Sequence, residues 1–293
     1  MSDKNIILEP KKFEGRFYKA LRQIWNTMKF EWQRKWSSLL AMIGTAILIF
    51  VLNLVIEVLQ LNRGGELAAT ASEYAQSYMG FISLFIYIIG CTFVGSIIVE
   101  DFEKSTGNLL FPKITKERLL IGRFTARYIY GFLALLTYYT GVTIITFIRF
   151  SVIPVNLYAS FLWAAYYLLA VYAFVALFSS FFKRTAGSVI VSLLSLLIVF
   201  TMVQSILQFT GITIEPLLFL TYYSNIITYT FNMPEERFQE LPFGPPSNPD
   251  AQTFYRWITP NELGAGIGLM VYTVVLLIAA YIIYEFRQSK GNM

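Results

Sequence analysis

Six runs free of charged residues dominate this sequence, and each is long enough to cross a bilayer as a helix. The hydrocarbon core is about 30 Å thick and a helix rises about 1.5 Å per residue, so about 20 apolar residues suffice. The runs cover residues 39–56, 81–99, 128–148, 157–182, 186–208 and 263–284. Charged residues make up only 14% of the chain, against about 25% in soluble domains. The sequence therefore predicts an all-α membrane protein with six transmembrane helices.

The residue inventory removes several kinds of chemistry. The chain contains no histidine, which excludes zinc sites of the HExxH type and nucleophiles activated by an imidazole. Its single cysteine, Cys91, lies in an apolar run and is predicted to be a buried hydrophobe. No GxxxxGK[ST] motif occurs, so the chain has no phosphate-binding loop of that type. We expect no catalytic residue, no metal site and no cofactor in this chain.

The distribution of Lys and Arg predicts the orientation, because cytoplasmic segments carry the excess of positive charge. Most of the 23 basic residues fall at 1–38, 104–127, 183–184 and 287–290, which lie on one side if six spans alternate. Both termini are thus expected in the cytoplasm, and the chain is expected to be a multi-pass protein of the cell membrane.

Residues 1–37 form the first predicted unit, and residues 38–293 form the six-span domain. Wound at 100° per residue, the apolar Phe17, Leu21, Trp25 and Trp32 share one face, and basic residues occupy the other. Such a helix is typical of the membrane interface, where its cations meet anionic headgroups. Membrane lipids are therefore expected partners, and the apolar face disfavours nucleic acid.

The segment 209–262, between spans five and six, holds seven of the ten prolines. Its first part, 212–231, is largely uncharged but contains Glu215, Pro216 and many polar residues. A seventh span here would place acidic residues in the cytoplasm and the basic C-terminus outside, against the charge rule. We therefore predict a re-entrant segment, followed by a loop-rich extracellular cap in which proline disfavours helix.

No acidic or basic residue occupies the centre of any span, although gradient-driven carriers normally place ionisable groups there. The energy for any transport is thus expected to come from elsewhere. Neutral polar residues do occur within the spans, either for contacts between helices or as the wall of a substrate path. The path candidates are Asn53, Ser83, Thr92, Ser96, Thr201 and Gln204.

The segment 100–123 links spans two and three. We predict a short helix over 106–111, which Pro112 ends. We also predict a second helix that begins at Lys116, is capped by Thr115 and continues into span three. That second helix exceeds the bilayer thickness, so its first turns project into the cytoplasm as a lever.

The residues of this segment resemble the coupling loop of type-2 ABC-transporter permeases. The similar motifs are Glu103-Lys104-Ser105-Thr106-Gly107, Leu109-Leu110, Pro112 and Leu120-Ile121-Gly122-Arg123, with threonine and glycine exchanged relative to the family. The predicted layout, with an interfacial helix, six spans and a re-entrant segment, is similar too.

The resemblance implies a permease subunit that pairs with a second permease copy, identical or related, and with two cytosolic ABC ATPase subunits. It implies that ATP and Mg²⁺ bind to those ATPases, and that spans one, two and five line the path for an exported amphipathic, lipid-like, drug-like or peptide substrate. The residues it assigns to ATPase coupling are Glu100, Asp101, Glu103, Thr106, Gly107, Leu109, Leu110, Pro112 and Arg123.

Two alternatives remain open at this stage. One is a membrane enzyme that processes lipids or prenyl compounds, with Glu100, Asp101 and Glu103 as ligands of Mg²⁺. The other is a scaffold subunit of a membrane complex, which would not need the segment 100–123 to move. An ATPase encoded beside this chain would favour the permease over both.

Overall fold

The computed structural model describes residues 10–64, 68–103, 115–209, 214–243 and 252–289. Its helices, in chain order, are α1 (Pro10–Asn62), α2 (Ala71–Ser77), α3 (Ile82–Val94), α4 (Val99–Glu103), α5 (Lys116–Phe150), α6 (Val155–Phe181), α7 (Thr185–Leu194), α8 (Phe200–Phe209), α9 (Leu220–Tyr223), α10 (Asn225–Tyr229) and α11 (Glu262–Ser289). A 3₁₀ turn at Tyr78–Phe81 joins α2 to α3, and a π-helical turn at Ser195–Val199 joins α7 to α8.

Six helical stretches are long and apolar enough to cross a membrane. They are span one (Phe17–Asn62), span two (Ala71–Glu103), span three (Lys116–Phe150), span four (Val155–Phe181), span five (Thr185–Leu207) and span six (Glu262–Arg287). Each predicted run lies within the corresponding stretch, except that the fourth and fifth runs extend one residue beyond its C-terminal end. The prediction of an all-α, multi-pass membrane protein is confirmed.

Spans two and four form the centre of the bundle. In their most apolar windows 78% and 61% of the residues are buried, against 28% in span one and 17% in each of spans five and six. Side chains such as Ile82, Phe85 and Tyr167 have no exposed surface. The outer spans instead present apolar residues on their surface, as a bilayer solvent requires.

Helix α1 is continuous from Pro10 to Asn62, so the described part of the predicted unit 1–37 and the first span share one helix. The physical reason is one buried stripe that runs through both parts at helical spacing. Its members are Thr27, Met28, Glu31, Leu39, Met42, Ala46, Ile49 and Asn53. A helix that buries the same face throughout has no cause to break at residue 37.

The first half of α1 packs along the start of α5. The Arg118 guanidinium donates to the Gln23 side chain at 2.7 Å, and the Tyr130 hydroxyl donates to the Trp32 carbonyl at 2.6 Å. A Cβ at Gly122 would lie 2.9 Å from the Thr27 Cβ, so glycine permits this close approach. The predicted lever is therefore fastened to α1 along its side.

The predicted helix from Lys116 into span three is confirmed as α5. Thr115 occupies the N-cap position with an extended backbone, but its side chain makes no capping hydrogen bond. The expected capping by Thr115 is wrong in this detail.

Between spans five and six lie two short helices, α9 and α10, whose side chains Leu220, Tyr222 and Ile226 are fully buried. The Ser160 hydroxyl of α6 donates to the Ile227 carbonyl at 2.7 Å and so holds α10 against span four. The part of 209–262 that the structure describes contains no seventh spanning helix.

An antiparallel hairpin follows, with strands β1 (Phe238–Phe243) and β2 (Gln252–Trp257). Phe238 pairs with Trp257, and their ring centroids lie 5.0 Å apart. The expected cap of loops missed this hairpin. A high density of proline argues against helix but not against a two-stranded ribbon. Both strands of such a ribbon are edge strands, and an edge strand tolerates a proline such as Pro242.

Candidate functional site

A group of seven charged side chains lies at the end of the bundle where spans two and three are linked. We call it the charge cluster, and this end of the bundle the charged end. Its members are Glu31, Arg34 and Lys35 of α1, Glu100 and Asp101 of α4, and Arg123 and Arg127 of α5. Glu31, Asp101 and Arg127 are at most 2% exposed, which is rare for charged residues.

Arg127 is the centre of the charge cluster and has no exposed surface. Its guanidinium lies 3.0 Å from a Glu31 oxygen and 3.4 Å from a Glu100 oxygen. It also donates to the Ser96 hydroxyl at 3.0 Å and to the Phe93 carbonyl at 2.9 Å. One side chain thus joins α1, span two and span three.

Arg123, one turn earlier on α5, bonds to the residues that precede the linker, by which we mean residues 104–114 between spans two and three. Its Nη1 donates to both Asp101 oxygens at 2.9 and 2.8 Å and to the Ile97 carbonyl at 3.2 Å. The Tyr284 hydroxyl of α11 donates to the same carboxylate at 2.9 Å. Asp101 therefore connects the base of the linker to span six as well as to span three.

Glu100 completes the connection to α1. The Lys35 ammonium lies 3.1 Å from one Glu100 oxygen, and the Arg34 guanidinium contacts the other. Arg34 also lies 2.8 Å from Glu31, one turn earlier on its own helix. The charged half of α1 is therefore bound to the linker as well as to α5.

A break in span two explains why charged side chains lie here. The helix is interrupted between α3 and α4, at residues 95–98, and the interruption frees backbone groups in a dry environment. The Ser179 hydroxyl accepts from the amides of Ile98 and Val99 at 3.1 and 3.2 Å. Arg123 and Arg127 donate to the freed carbonyls of Ile97 and Phe93. The arginines thus serve the backbone and the carboxylates together.

Gly95 stands at the start of this break. A Cβ at this position would lie 2.5 Å from the Cys91 carbonyl oxygen and 2.5 Å from Val189 of α7. Only glycine therefore allows the turn to pass so close to span five.

The three acids of the charge cluster face four bases, so the cluster carries one net positive charge. Glu103 lies outside it and accepts from the Thr185 amide at 3.2 Å and hydroxyl at 2.5 Å. Glu100, Asp101 and Glu103, the metal ligands of the enzyme alternative, thus bond to different groups of the protein: Lys35, Arg123 and Thr185 respectively. Within the described ranges no group of three acidic, His or Cys side chains could hold a metal ion.

Three residues predicted to couple to an ATPase are buried and form ion pairs between helices. They are Glu100, Asp101 and Arg123. Glu103 is the last residue described before the linker, at the end of α4. Five further predicted coupling residues, and the predicted helix over 106–111, lie outside the described residues. These five are Thr106, Gly107, Leu109, Leu110 and Pro112.

The predicted path residues do not meet in one cavity. Ser96 belongs with the charge cluster, where it accepts from Arg127. Gln204 is half-buried and accepts from the Thr221 hydroxyl at 3.4 Å, while Thr201 is exposed and Ser83 is half-buried. Asn53 lies at the opposite end of the bundle.

Thr92 lies on a surface stripe of span two. Most of this helix is buried, but residues spaced by three or four remain exposed or half-buried along one face. The stripe consists of Phe81, Leu84, Ile88 and Thr92. α1 and α7 both pack against α3, so spans one, two and five are neighbours.

The opposite end of the bundle holds a second polar site, which we call the tyrosine cavity. Its volume is about 300 Å³, and its walls include Asn53 and Glu57 of α1 with Tyr74 and Tyr78 of span two. Glu57 accepts from the Tyr74 hydroxyl at 3.0 Å and from the Tyr78 hydroxyl, and it pairs with Arg149 of span three.

The sequence interpretation missed Arg127 and Glu31. Arg127 enters the prediction only as one of the basic residues that set the orientation, and Glu31 is not among the candidate residues. One signal was present: Arg123 and Arg127 are four residues apart, so they share one face of a helix that leads into the membrane. Two acids, Glu100 and Asp101, end the preceding span at the same depth.

A scan of the chain against protein-family models gives no match, and a search of curated proteins finds no similar sequence.

Proposed function

We propose that this chain is the permease subunit of an ATP-driven transporter whose ATPase is a separate polypeptide. The ATPase docks on the linker 104–114, and the charged end of the bundle faces the cytoplasm. The carrying observation is the Asp101–Arg123 ion pair, with oxygens 2.8 and 2.9 Å from Nη1, because it clamps together the residues that precede and follow this linker.

The clamp makes the linker a mechanical handle. A force on 104–114 acts on α4 and on the first turns of α5 together, since Asp101 and Arg123 are both at most 4% exposed and bonded to each other. Separating such a pair would leave an uncompensated buried charge, at about 3–5 kcal/mol. The ion pair therefore stays closed, and the movement passes on.

The same cluster determines where the movement goes. Glu31 and Lys35 carry it into span one, and Tyr284 carries it into span six through Asp101. Both spans lie at the periphery of the bundle. Peripheral helices can tilt in lipid without disrupting the buried core, so the handle acts on the movable part of the protein.

The remaining features of the proposal follow the resemblance to type-2 ABC permeases. A second permease copy packs against spans one, two and five, and the exposed stripe with Thr92 borders the path between the copies. The substrate is amphipathic, the direction is export, and ATP and Mg²⁺ are bound by the ATPase. The segment with α9 and α10 is the re-entrant part of the outer end. The exposed Phe17, Leu21 and Trp25 contact the membrane surface. The host membrane is the cell membrane.

Two variants separate docking from transmission. Leu110→Ala removes an apolar contact from the proposed docking linker, so the ATPase should no longer copurify. Asp101→Asn weakens the clamp but leaves the linker sequence intact, so the ATPase should still copurify while transport falls at least tenfold. Leu263→Ala, an equal truncation at the opposite end where Leu263 is 75% exposed, is the matched control.

The measurement is ATPase retention on affinity-purified chain, with transport of a fluorescent amphiphile into vesicles in parallel. Equal ATPase retention by Leu110→Ala and Leu263→Ala would contradict the docking site. Full transport by Asp101→Asn, with normal expression, would contradict the clamp.

A further inference from the structure

The tyrosine cavity has the size and the mixed walls of a small-molecule site. Its volume of about 300 Å³ lies at the lower end of the range for ligand pockets. Ile56, Leu61 and Ala68 supply apolar walls, and Asn53, Gln60 and Ser77 supply polar ones. Gln60 is exposed, so the cavity is reached from water at that end of the bundle.

Among the described residues that line this cavity, Glu57 alone carries a carboxylate. Its side chain is 17% exposed, and the Tyr74 and Tyr78 hydroxyls both donate to the same oxygen, Oε2. The two hydroxyls also lie 3.2 Å from each other. These hydrogen bonds hold the carboxylate in a fixed position on the cavity wall.

Further aromatic rings pack against the two tyrosines that donate to Glu57. Tyr74 packs against Tyr78 and Phe150 with ring centroids 5.3 and 5.4 Å apart, and Phe50 lies 5.8 Å from Tyr78. A carboxylate beside an aromatic ring face attracts organic cations, and Tyr74 offers such a face next to Glu57.

The protein itself already places a cation in this arrangement. The Arg149 guanidinium pairs with Glu57 Oε1 and lies 4.9 Å from the centroid of the Tyr74 ring. Its side chain is 31% exposed and extends from the last turn of α5, so it approaches from the water side. Arg149 does not line the cavity, whose interior remains open beside the paired carboxylate.

We propose that the tyrosine cavity binds an organic ammonium ion with small apolar substituents, which competes with Arg149 for Glu57. The ammonium group contacts the Glu57 carboxylate and the face of Tyr74, and its substituents lie against Ile56 and Leu61. The competition sets the affinity, since the ligand gains only the difference between its own contacts and those of Arg149. The charge cluster offers no such site, because its acids are outnumbered by bases.

The experiment measures binding of choline to the purified full-length chain in nanodiscs by isothermal titration calorimetry. The neutral analogue with carbon in place of the nitrogen serves as the uncharged probe. The variants are Glu57→Gln and Arg149→Gln, and the matched control is Glu117→Gln. Glu117 is another carboxylate that accepts from a tyrosine, Tyr281, at 3.3 Å, but it lies at the charged end.

Glu57→Gln should weaken choline binding at least tenfold, and Arg149→Gln should tighten it about tenfold because the competitor is gone. Glu117→Gln should bind as the parent chain does, and the neutral analogue should not bind. Two results would overturn the proposal: no choline binding by either the parent or Arg149→Gln, or equal binding of choline and its analogue. Arg149→Gln keeps the test valid if Glu57→Gln fails to fold, and ATPase docking plays no part in it.

Discussion

The two ends of the bundle use the same chemistry for opposite purposes. At the charged end, seven charged groups lie on three helices, and Arg127 has no exposed surface. At the other end, a single Glu57–Arg149 pair is 17% and 31% exposed and borders a cavity of about 300 Å³. The buried pairs at the centre of the charged end fasten helices together, because separating them leaves a buried charge uncompensated. A reachable pair can exchange one partner for another, so it suits a binding site.

Arg127→Ala is expected to have the largest effect on stability. Replacement by Ala removes a fully buried partner from Glu31, from Glu100 and from the Phe93 carbonyl, so we expect a loss of about 3–5 kcal/mol in the free energy of unfolding. Equilibrium unfolding in detergent measures it.

The matched control is Arg22→Ala, which truncates an exposed arginine of α1 and should change stability by less than about 0.5 kcal/mol. Equal stability of the two variants would mean that the charge cluster does not fasten the helices.

Gly122 tests the packing of α1 against α5 at the charged end. The added methyl group of Gly122→Ala meets Thr27 Cβ at 2.9 Å and the Ile24 carbonyl oxygen at 3.1 Å, so we expect a loss of about 1–3 kcal/mol. Thermal unfolding followed by circular dichroism checks it.

Gly44→Ala provides the control on α1, because a Cβ there meets nothing within 4 Å. Ala is favoured over Gly in a helix, so this variant should be as stable as the parent or gain up to about 1 kcal/mol. A destabilised Gly44→Ala together with a neutral Gly122→Ala would contradict the packing of these helices.

Salt sharpens the difference between the two ends. A double-mutant cycle on Glu57 and Arg149 should give a coupling free energy of about 0.5–1 kcal/mol that declines between low and high salt. The same cycle on Asp101 and Arg123 should give about 2–3 kcal/mol with little salt dependence, because these side chains are only 2% and 5% exposed. Similar salt dependence for both pairs would contradict the distinction between the buried Asp101–Arg123 pair and the partly exposed Glu57–Arg149 pair.

The smallest expected effect lies beside Arg149. Ser151 ends α5 with a φ of 55°, the only positive φ of a non-glycine residue in the part of the chain described. Glycine adopts this conformation without a steric penalty, so Ser151→Gly should raise stability by less than about 1 kcal/mol. Thermal unfolding checks the sign, and a clear loss would show that the serine side chain contributes more than its backbone strain removes.

The six spans were predictable because the requirement for about 20 apolar residues is local and leaves a strong pattern. The continuity of α1 was not, since Glu31, Arg34 and Lys35 read as water-facing until the partners Glu100 and Arg127 are known. These partners lie 65 to 96 positions away along the chain. Pairing over that distance depends on how the spans pack, which one sequence does not specify.

The candidate sites were predictable only as sets of residue types. The polar path residues were identified by composition, and packing then distributed them among the charge cluster, the tyrosine cavity and the exposed surface. Glu57 and Arg149 stood at the ends of spans one and three as ordinary boundary charges. Only the approach of span two, with Tyr74 and Tyr78, makes them the wall of a cavity.

The most direct measurement of the proposed division of labour is ATP hydrolysis by the chain purified from its native membrane. The account predicts that hydrolysis copurifies with a second polypeptide bearing a GxxxxGK[ST] motif, and that the chain stripped of this partner, though still folded, hydrolyses no ATP and transports nothing. Transport by the stripped chain alone in vesicles would contradict the account.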